Sequence, residues 1–264
     1  NEAADYDVNN KPYKPRKHLK INIGGLEEGD FADITPSSYD IWDKDVVAVE
    51  RKTHRITDSV EAASKGKYRH YMLKEIYEQP DVVKKTLQGR LGKNQILEQA
   101  FGPDAKAILD RTKAVQIVAC GTSYHSGMVA QYWIEGIAGI PCRVEVASEF
   151  RYRKFVVQED TLLVTISQSG ETADSLAALR LAKTLGYAST MTICNVAQSS
   201  LVRESDLALM TEAGPEIGVA STKAFTTQLV ALLLLTIGLG RRGGLSAESE
   251  AEIVNALHQL PDLM

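Results

Sequence analysis

An α/β architecture built on a parallel sheet is predicted for most of this chain of 264 residues. Three observations predict it. Short apolar, β-branched runs recur at Val115 to Ala119, Thr161 to Ile166, Ser189 to Cys194 and Leu207 to Met210. Stretches with helical spacing separate and follow them, at Met128 to Ile137, Ser175 to Leu185 and Thr222 to Leu239. Glycine- and hydroxyl-rich segments follow two of the runs, where a strand would turn into a helix. Apolar strands alternating with helices read as a parallel sheet covered on both faces. The domain is expected over residues 81–246.

From the N-terminus, residues 1–18 are polar, with Pro12, Pro15 and cations from Lys11 to Lys17, and read as a flexible, solvated tail. From His18 to Ser59 the pattern is β-like. Leu19, Ile21 and Ile23 alternate with polar residues, as do Tyr39 and Ile41. Gly24-Gly25, Pro36-Ser37-Ser38 and Asp43-Lys44-Asp45 punctuate the segment as turns. So few strands make no core alone and suggest the end of a domain that starts elsewhere. Glu61 to Lys67 reads as a linker. Met72, Leu73, Ile76 and Tyr77 share one helical face, and Gln79-Pro80 stops that helix, because proline disfavours helical geometry in the residue before it. Val82, Val83, Thr86 and Leu87 resume helical spacing, and Ile96, Leu97, Ile108 and Leu109 suggest two more short helices. Arg143 to Ala147 is a further strand candidate, and Glu248 to Leu257 a final helix.

Composition narrows the function classes. The formal net charge is -4 and the sequence pI about 5.8, which argues against a general nucleic-acid binder. The three cysteines, Cys120, Cys142 and Cys194, form no CxxC pair, so a reducing compartment fits better than a disulfide scaffold, and no metal site is expected. The longest apolar stretch, Leu229 to Leu239, is too short to span a bilayer and reads as a buried helix.

Two segments carry chemistry. Cys120-Gly121-Thr122-Ser123-Tyr124-His125-Ser126-Gly127 and Ser167-Gln168-Ser169-Gly170-Glu171-Thr172 each follow an apolar strand and open a helix. Ligands of such folds bind outside the carboxyl ends of the strands. A helix N-terminus there offers unpaired N–H groups and a partial positive charge. Hydroxyls add neutral donors, so a phosphate dianion can be cradled without a lysine. One such segment alone would be an ordinary helix cap, a feature worth about 1 kcal/mol; two at neighbouring strand ends favour an anion site. Neither fits GxxxxGK[ST] or GxGxxG.

These residues carry a resemblance. SQSGET at Ser167 to Thr172 resembles the signature of sugar isomerase (SIS) domains, and CGTS at Cys120 to Ser123 is similar to their first strand-end loop. RHYMLKEIYEQP, Arg69 to Pro80, and GVASTKAFTTQL, Gly218 to Leu229, resemble the glucosamine-6-phosphate synthase family of isomerizing glutamine–fructose-6-phosphate aminotransferases. The likeness runs from about Leu26 to the C-terminus. In that family a glutaminase domain releases ammonia, and two SIS domains use it to convert fructose 6-phosphate to glucosamine 6-phosphate.

The resemblance implies a SIS-type three-layer sheet. It implies that residues 1–60 are the end of a glutaminase domain, 61–80 a linker, 81–246 a first SIS domain and 247–264 a connection toward a second. It implies that Ser123, Ser167, Gln168, Ser169 and Thr172 hold the substrate phosphate, and that Cys120, Gly121, Thr122, Val219 and Ser221 line the sugar. Nothing in the local composition marks Val219 or Ser221. The family's nucleophilic N-terminal cysteine is matched by Asn1, and the sugar-site lysine, carboxylate and histidine belong to a part beyond Met264. No catalytic residue and no cofactor are therefore expected here, and the fragment is expected to bind sugar phosphate without turning it over. Expected partners are the glutaminase and second SIS domains and a second copy, in the cytoplasm, with no nucleic acid or membrane.

Four residues carry a second, competing reading. Cys120, at a helix N-terminus, reads as a small pocket residue rather than a nucleophile. His125 reads as capping or surface. Glu171 would repel a dianion and is expected to face away. Lys223 reads as a cap or contact residue rather than a phosphate ligand. The competing functional class is a phosphosugar-sensing regulator, which would carry a helix-turn-helix upstream; the β-like pattern of residues 18–59 counts against it.

Overall fold

The computed structural model describes residues 26, 29–35, 38–51, 64–154 and 156–264. The chain divides into two compact units, Asn1–Ser59 and Val60–Met264. The strand expected around Leu19, Ile21 and Ile23, the Gly24-Gly25 turn, and parts of the Pro36 turn and the linker lie outside the described residues.

In the first unit β1 (Phe31–Ile34) pairs antiparallel with β2 (Tyr39–Trp42), Phe31 opposite Trp42. Their rings stack at 5.5 Å. Asp43 Oδ1 accepts from the amides of Asp45 and Val47 at 2.9 and 3.0 Å, closing the next turn.

The second unit opens with α1 (Tyr71–Tyr77) and α2 (Gln79–Leu87). Pro80 stands in the first turn of α2, where its missing N–H costs nothing. Val82, Val83, Thr86 and Leu87 are buried as their spacing predicts. The face of α1 differs from expectation. Met72, Leu73, Ile76 and Tyr77 are exposed, while Lys74 and Glu75 are buried. The charged pair wins the inward side because the backbone satisfies it: Lys74 Nζ donates to Ser64 O at 2.7 Å, and the Glu75 carboxylate takes two loop amides.

Helix is also absent at Ile96 and Leu97. Ile96 bridges Leu91 instead, and its N–H donates to Glu250 Oε1 at 2.8 Å. A 3-10 turn, Glu98–Phe101, follows, and Ile108 and Leu109 lie in α3 (Ala105–Arg111).

Then comes β3 (Ala114–Ala119) and α4 (Gly121–Trp133), which continues as a π-turn over Ile134–Ala138. Next are β4 (Cys142–Val146), α5 (Ala147–Phe150), β5 (Thr161–Ser167), α6 (Ala173–Ala182), β6 (Ser189–Cys194), α7 (Ser200–Glu204) and β7 (Leu207–Met210). Two long helices close the unit, α8 (Lys223–Gly240) and α9 (Ala247–Leu263). Helix α4 starts well before Met128, taking in Gly121 to Gly127 of the first hydroxyl-rich segment. Ala147 belongs to α5 rather than to the strand. Helices α5 and α7 are short additions that the apolar spacing does not predict.

The five strands β4-β3-β5-β6-β7 are parallel throughout. Side chains alternate between two cores, as the two-residue period of a strand requires. Val115 and Ile117 of β3 and Leu162, Val164 and Ile166 of β5 pack toward α2, α4, α8 and α9. Val118 and Leu163 face α5, α6 and α7. The result is three layers.

Among the described residues α8 is the one helix long and apolar enough to cross a membrane, and 78% of its apolar window is buried within the protein. It is the core helix of the sheet's first face. Ser246 caps α9 by accepting from Ser249 N at 3.1 Å, and Val254 and Leu257 join the same core.

Candidate functional site

The strand order contains one switch point. From β3 the chain crosses to β4 on one side and later returns to place β5 on the other. In doubly wound sheets ligands bind in the crevice outside such a point. Ala119 pairs with Ile166, so Cys120–Ser123 and Ser167–Thr172 leave neighbouring strands side by side. Both sequence-marked segments therefore line the crevice.

The hydroxyls in these segments do not cap their helices. Neither Cys120 before α4 nor Thr172 before α6 makes a side-chain cap bond. Instead Ser167 Oγ and Thr172 Oγ1 lie 3.0 Å apart, and Ser167 Oγ accepts from Gly170 N at 3.0 Å. Ser169 Oγ accepts from Glu171 N at 3.2 Å. Its own O–H stays available to an incoming acceptor, on an exposed residue. The loop thus holds its own shape and keeps hydroxyl donors beside the N-terminus of α6. Gln168 is half-buried.

Gly170 is glycine for a packing reason rather than for ligand approach. Its φ is +70°, and an added Cβ would overlap Ser199 Oγ and lie 2.7 Å from Cys194 Sγ.

Ser123 sits in the first turn of α4, buried at 8% exposure. Its Oγ accepts from Gln228 Nε2 of α8 at 3.0 Å, and Gln228 Oε1 accepts from Ser126 Oγ at 3.3 Å. One of its two lone pairs is thus engaged, and its O–H can still donate. Gly121 begins α4 with a φ of +57°. Gly121 and Thr122 are exposed and Cys120 is half-buried.

The third segment runs from Thr211 to Thr222 and carries Val219, which is fully exposed, and Ser221. Asn195 at the end of β6 anchors its start, accepting from Ala213 N at 2.7 Å and donating to Gly214 O at 2.8 Å. Glu216 anchors its end, accepting from Ser221 Oγ at 3.0 Å, Thr222 N at 2.9 Å and Ala224 N at 3.1 Å. A carboxylate at the start of α8 also suits the helix dipole. Ser175 Oγ, in the first turn of α6, and Thr222 Oγ1, at the N-cap of α8, are buried with no hydrogen-bond partner among the described residues.

The remaining candidates fall into structural roles. Glu171 accepts from Ser200 N at 2.7 Å, so its carboxylate is spent at the start of α7. Lys223 is buried and pairs with Glu78 at 2.8 Å, away from a phosphate role. His125 is exposed, edge-on to Tyr124. Burial pushes the Cys142 thiol up to about 12 and raises that of Cys194. No group of His, Cys, Asp and Glu suited to a metal ion occurs among the described residues. Sequence reasoning missed Gln228, Glu216, Asn195 and Glu75, whose partners lie far away in the chain or on backbone.

Fold and site together define a class. Residues 108–238 match the SIS domain family model. The chain is 65% identical over 237 residues to the glutamine–fructose-6-phosphate aminotransferases (isomerizing) of Pseudomonas syringae pv. tomato and of Pseudomonas putida, covering 89% of this chain and 39% of each relative. A solved C-terminal domain of glucosamine-fructose-6-phosphate aminotransferase from Francisella tularensis matches with 53% identity and a TM-score of 0.74, over 76% of this chain and 56% of that one. Over 89% of its length the chain is thus similar to isomerizing glutamine–fructose-6-phosphate aminotransferases, and it spans 39% of the length of the curated relatives it matches.

Proposed function

We propose that this chain supplies the fructose 6-phosphate half-site of an enzyme that makes glucosamine 6-phosphate and glutamate from fructose 6-phosphate and glutamine. The observation that carries this reading is the pair of hydroxyl-rich segments at the β3/β5 switch point, whose hydroxyls bond one another in the second segment and Gln228 in the first instead of capping helices. Ser123, Ser167, Gln168, Ser169 and Thr172 hold the phosphate. Cys120, Gly121, Thr122, Val219 and Ser221 line the sugar. No cation is needed, since neutral donors and a helix N-terminus suffice for an anion of this size.

Residues 1–60 are read as the end of a glutaminase domain, 61–80 as a linker, 81–246 as a first SIS domain and 247–264 as leading to a second. The chain pairs with a second copy through its helical layer and works in the cytoplasm, a location in keeping with three free cysteines.

The test is calorimetric titration with fructose 6-phosphate. Ser169→Ala combined with Thr172→Ala abolishes binding while the circular dichroism spectrum and unfolding midpoint stay those of the parent. Undiminished binding by the double variant overturns the phosphate assignment. A phosphosugar-sensing regulator is the rival, and specific DNA binding in a mobility-shift experiment would favour it.

A further inference from the structure

We propose that Glu75, in the segment preceding the α/β domain, is a positioning residue for the sugar side of the site. The inference rests on the fructose 6-phosphate reading above. Glu75 lies within α1 at 2% exposure. Its Oε1 accepts from Ile217 N at 2.6 Å and Gly218 N at 2.9 Å, and its Oε2 from Gly218 N at 3.2 Å.

The 211–222 loop is tied at its start by Asn195 and at its end by Glu216. Among the described residues Glu75 makes the hydrogen bonds that hold its middle. Two successive amides converging on one anion form a nest, and here the protein fills the nest with its own carboxylate. Gly218 permits this approach: a Cβ there would lie 2.5 Å from Glu75 Oε2 and 3.5 Å from Met72 Cα.

Val219 follows immediately, and Ser221 two residues later. The same segment also grips the start of α8. Glu78 pairs with Lys223 at 2.8 Å, and Thr226 Oγ1 donates to Gln79 Oε1 at 2.6 Å. A displacement of α1 is therefore transmitted to the loop that carries the sugar contacts, while the phosphate loop at Ser167–Thr172 makes none of these bonds.

That separation sets the test. Fructose 6-phosphate and inorganic phosphate are titrated separately into the full chain. Glu75→Ala is expected to weaken fructose 6-phosphate about tenfold, within the range of a coupling transmitted to a binding site, and to leave inorganic phosphate unchanged. Glu75→Gln keeps the Oε1 acceptor that serves both amides and stays within about threefold of the parent. Gly218→Ala, with Glu75 intact, reproduces the selective loss and stands in if Glu75→Ala does not fold.

Unchanged fructose 6-phosphate affinity in Gly218→Ala and in folded Glu75→Ala overturns the proposal, as does an equal loss for both ligands, which would mark general damage. If the parent chain binds no fructose 6-phosphate, the underlying reading fails and this inference with it. If the parent binds and Ser169→Ala/Thr172→Ala does not, the reading stands and the variants of Glu75 and Gly218 decide the rest.

Discussion

Cys120, Cys142 and Cys194 carry the same thiol in three surroundings. Cys142 and Cys194 are buried, and burial raises both thiols, Cys142 to about 12. The thiolate is the reactive species, so neither is expected to react with iodoacetamide near neutral pH in the folded chain. Cys120 is half-buried at the end of β3. It should be labelled first, and fructose 6-phosphate should slow that labelling; mass spectrometry of digested protein reads both outcomes. Labelling of Cys142 ahead of Cys120 would contradict this account. At this scale the sequence was legible where chemistry lies in consecutive residues. Ser167, Ser169 and Thr172 announce themselves by type and spacing. Gln228 does not, because an amide on an apolar helix is unremarkable until Ser123 and Ser126 are seen beside it. Glu75 was hidden because its partners are backbone amides, which no residue type marks.

Helix α8 presents fourteen buried residues in eighteen, so no apolar stripe distinguishes one face. A helix apolar all round is a buried one, and α2, α4 and the π-turn pack on it. Leu235 is fully buried in this cluster. Leu235→Ala is expected to cost about 2–5 kcal/mol, measured by urea unfolding of parent and variant; a loss below ~1 kcal/mol would mean that the helix is not central to the core. The strands were legible because a fully covered strand is a short apolar run with no alternation. Helices α5 and α7 were not, since four or five residues give no periodicity to read. The apolar spacing of α1 identified a helix and misassigned its inward face, because periodicity ranks side chains by hydrophobicity and is blind to a buried carboxylate with two amide donors.

The two arginines that follow α8 make ion pairs with residues both far away and near in the sequence. Arg242 bonds both Glu98 and Asp110, and Arg241 bonds Glu98 and Glu250. The Arg242 hydrogen bond holds the Glu98 carboxyl below its ordinary value, and Arg180 does the same for Glu204. A carboxylate whose folded pKa is depressed adds stability that is complete above its unfolded pKa. That stability is lost as pH falls through the lower folded value. The urea midpoint is therefore expected to be flat above the ordinary glutamate value of 4.5 and to fall below it. Arg242→Met should flatten that acid limb, and an unchanged limb would remove Glu98 from the explanation. Exposed members such as Lys106–Asp110 add little. At this scale the sequence conveyed the three layers, but not which segments the arginines join. The placement of α8 also has a consequence for synthesis. The last strand ends at Met210, and the helix that covers one face of the sheet is complete only at Gly240. A ribosome takes on the order of seconds to deliver that interval. Throughout it, β3 and β5 already carry α4, while β6, with Met191, still lacks the cover that α8 supplies. The nascent chain thus delivers its membrane-length helix only after all five strands, onto a surface that α4 has already begun to build.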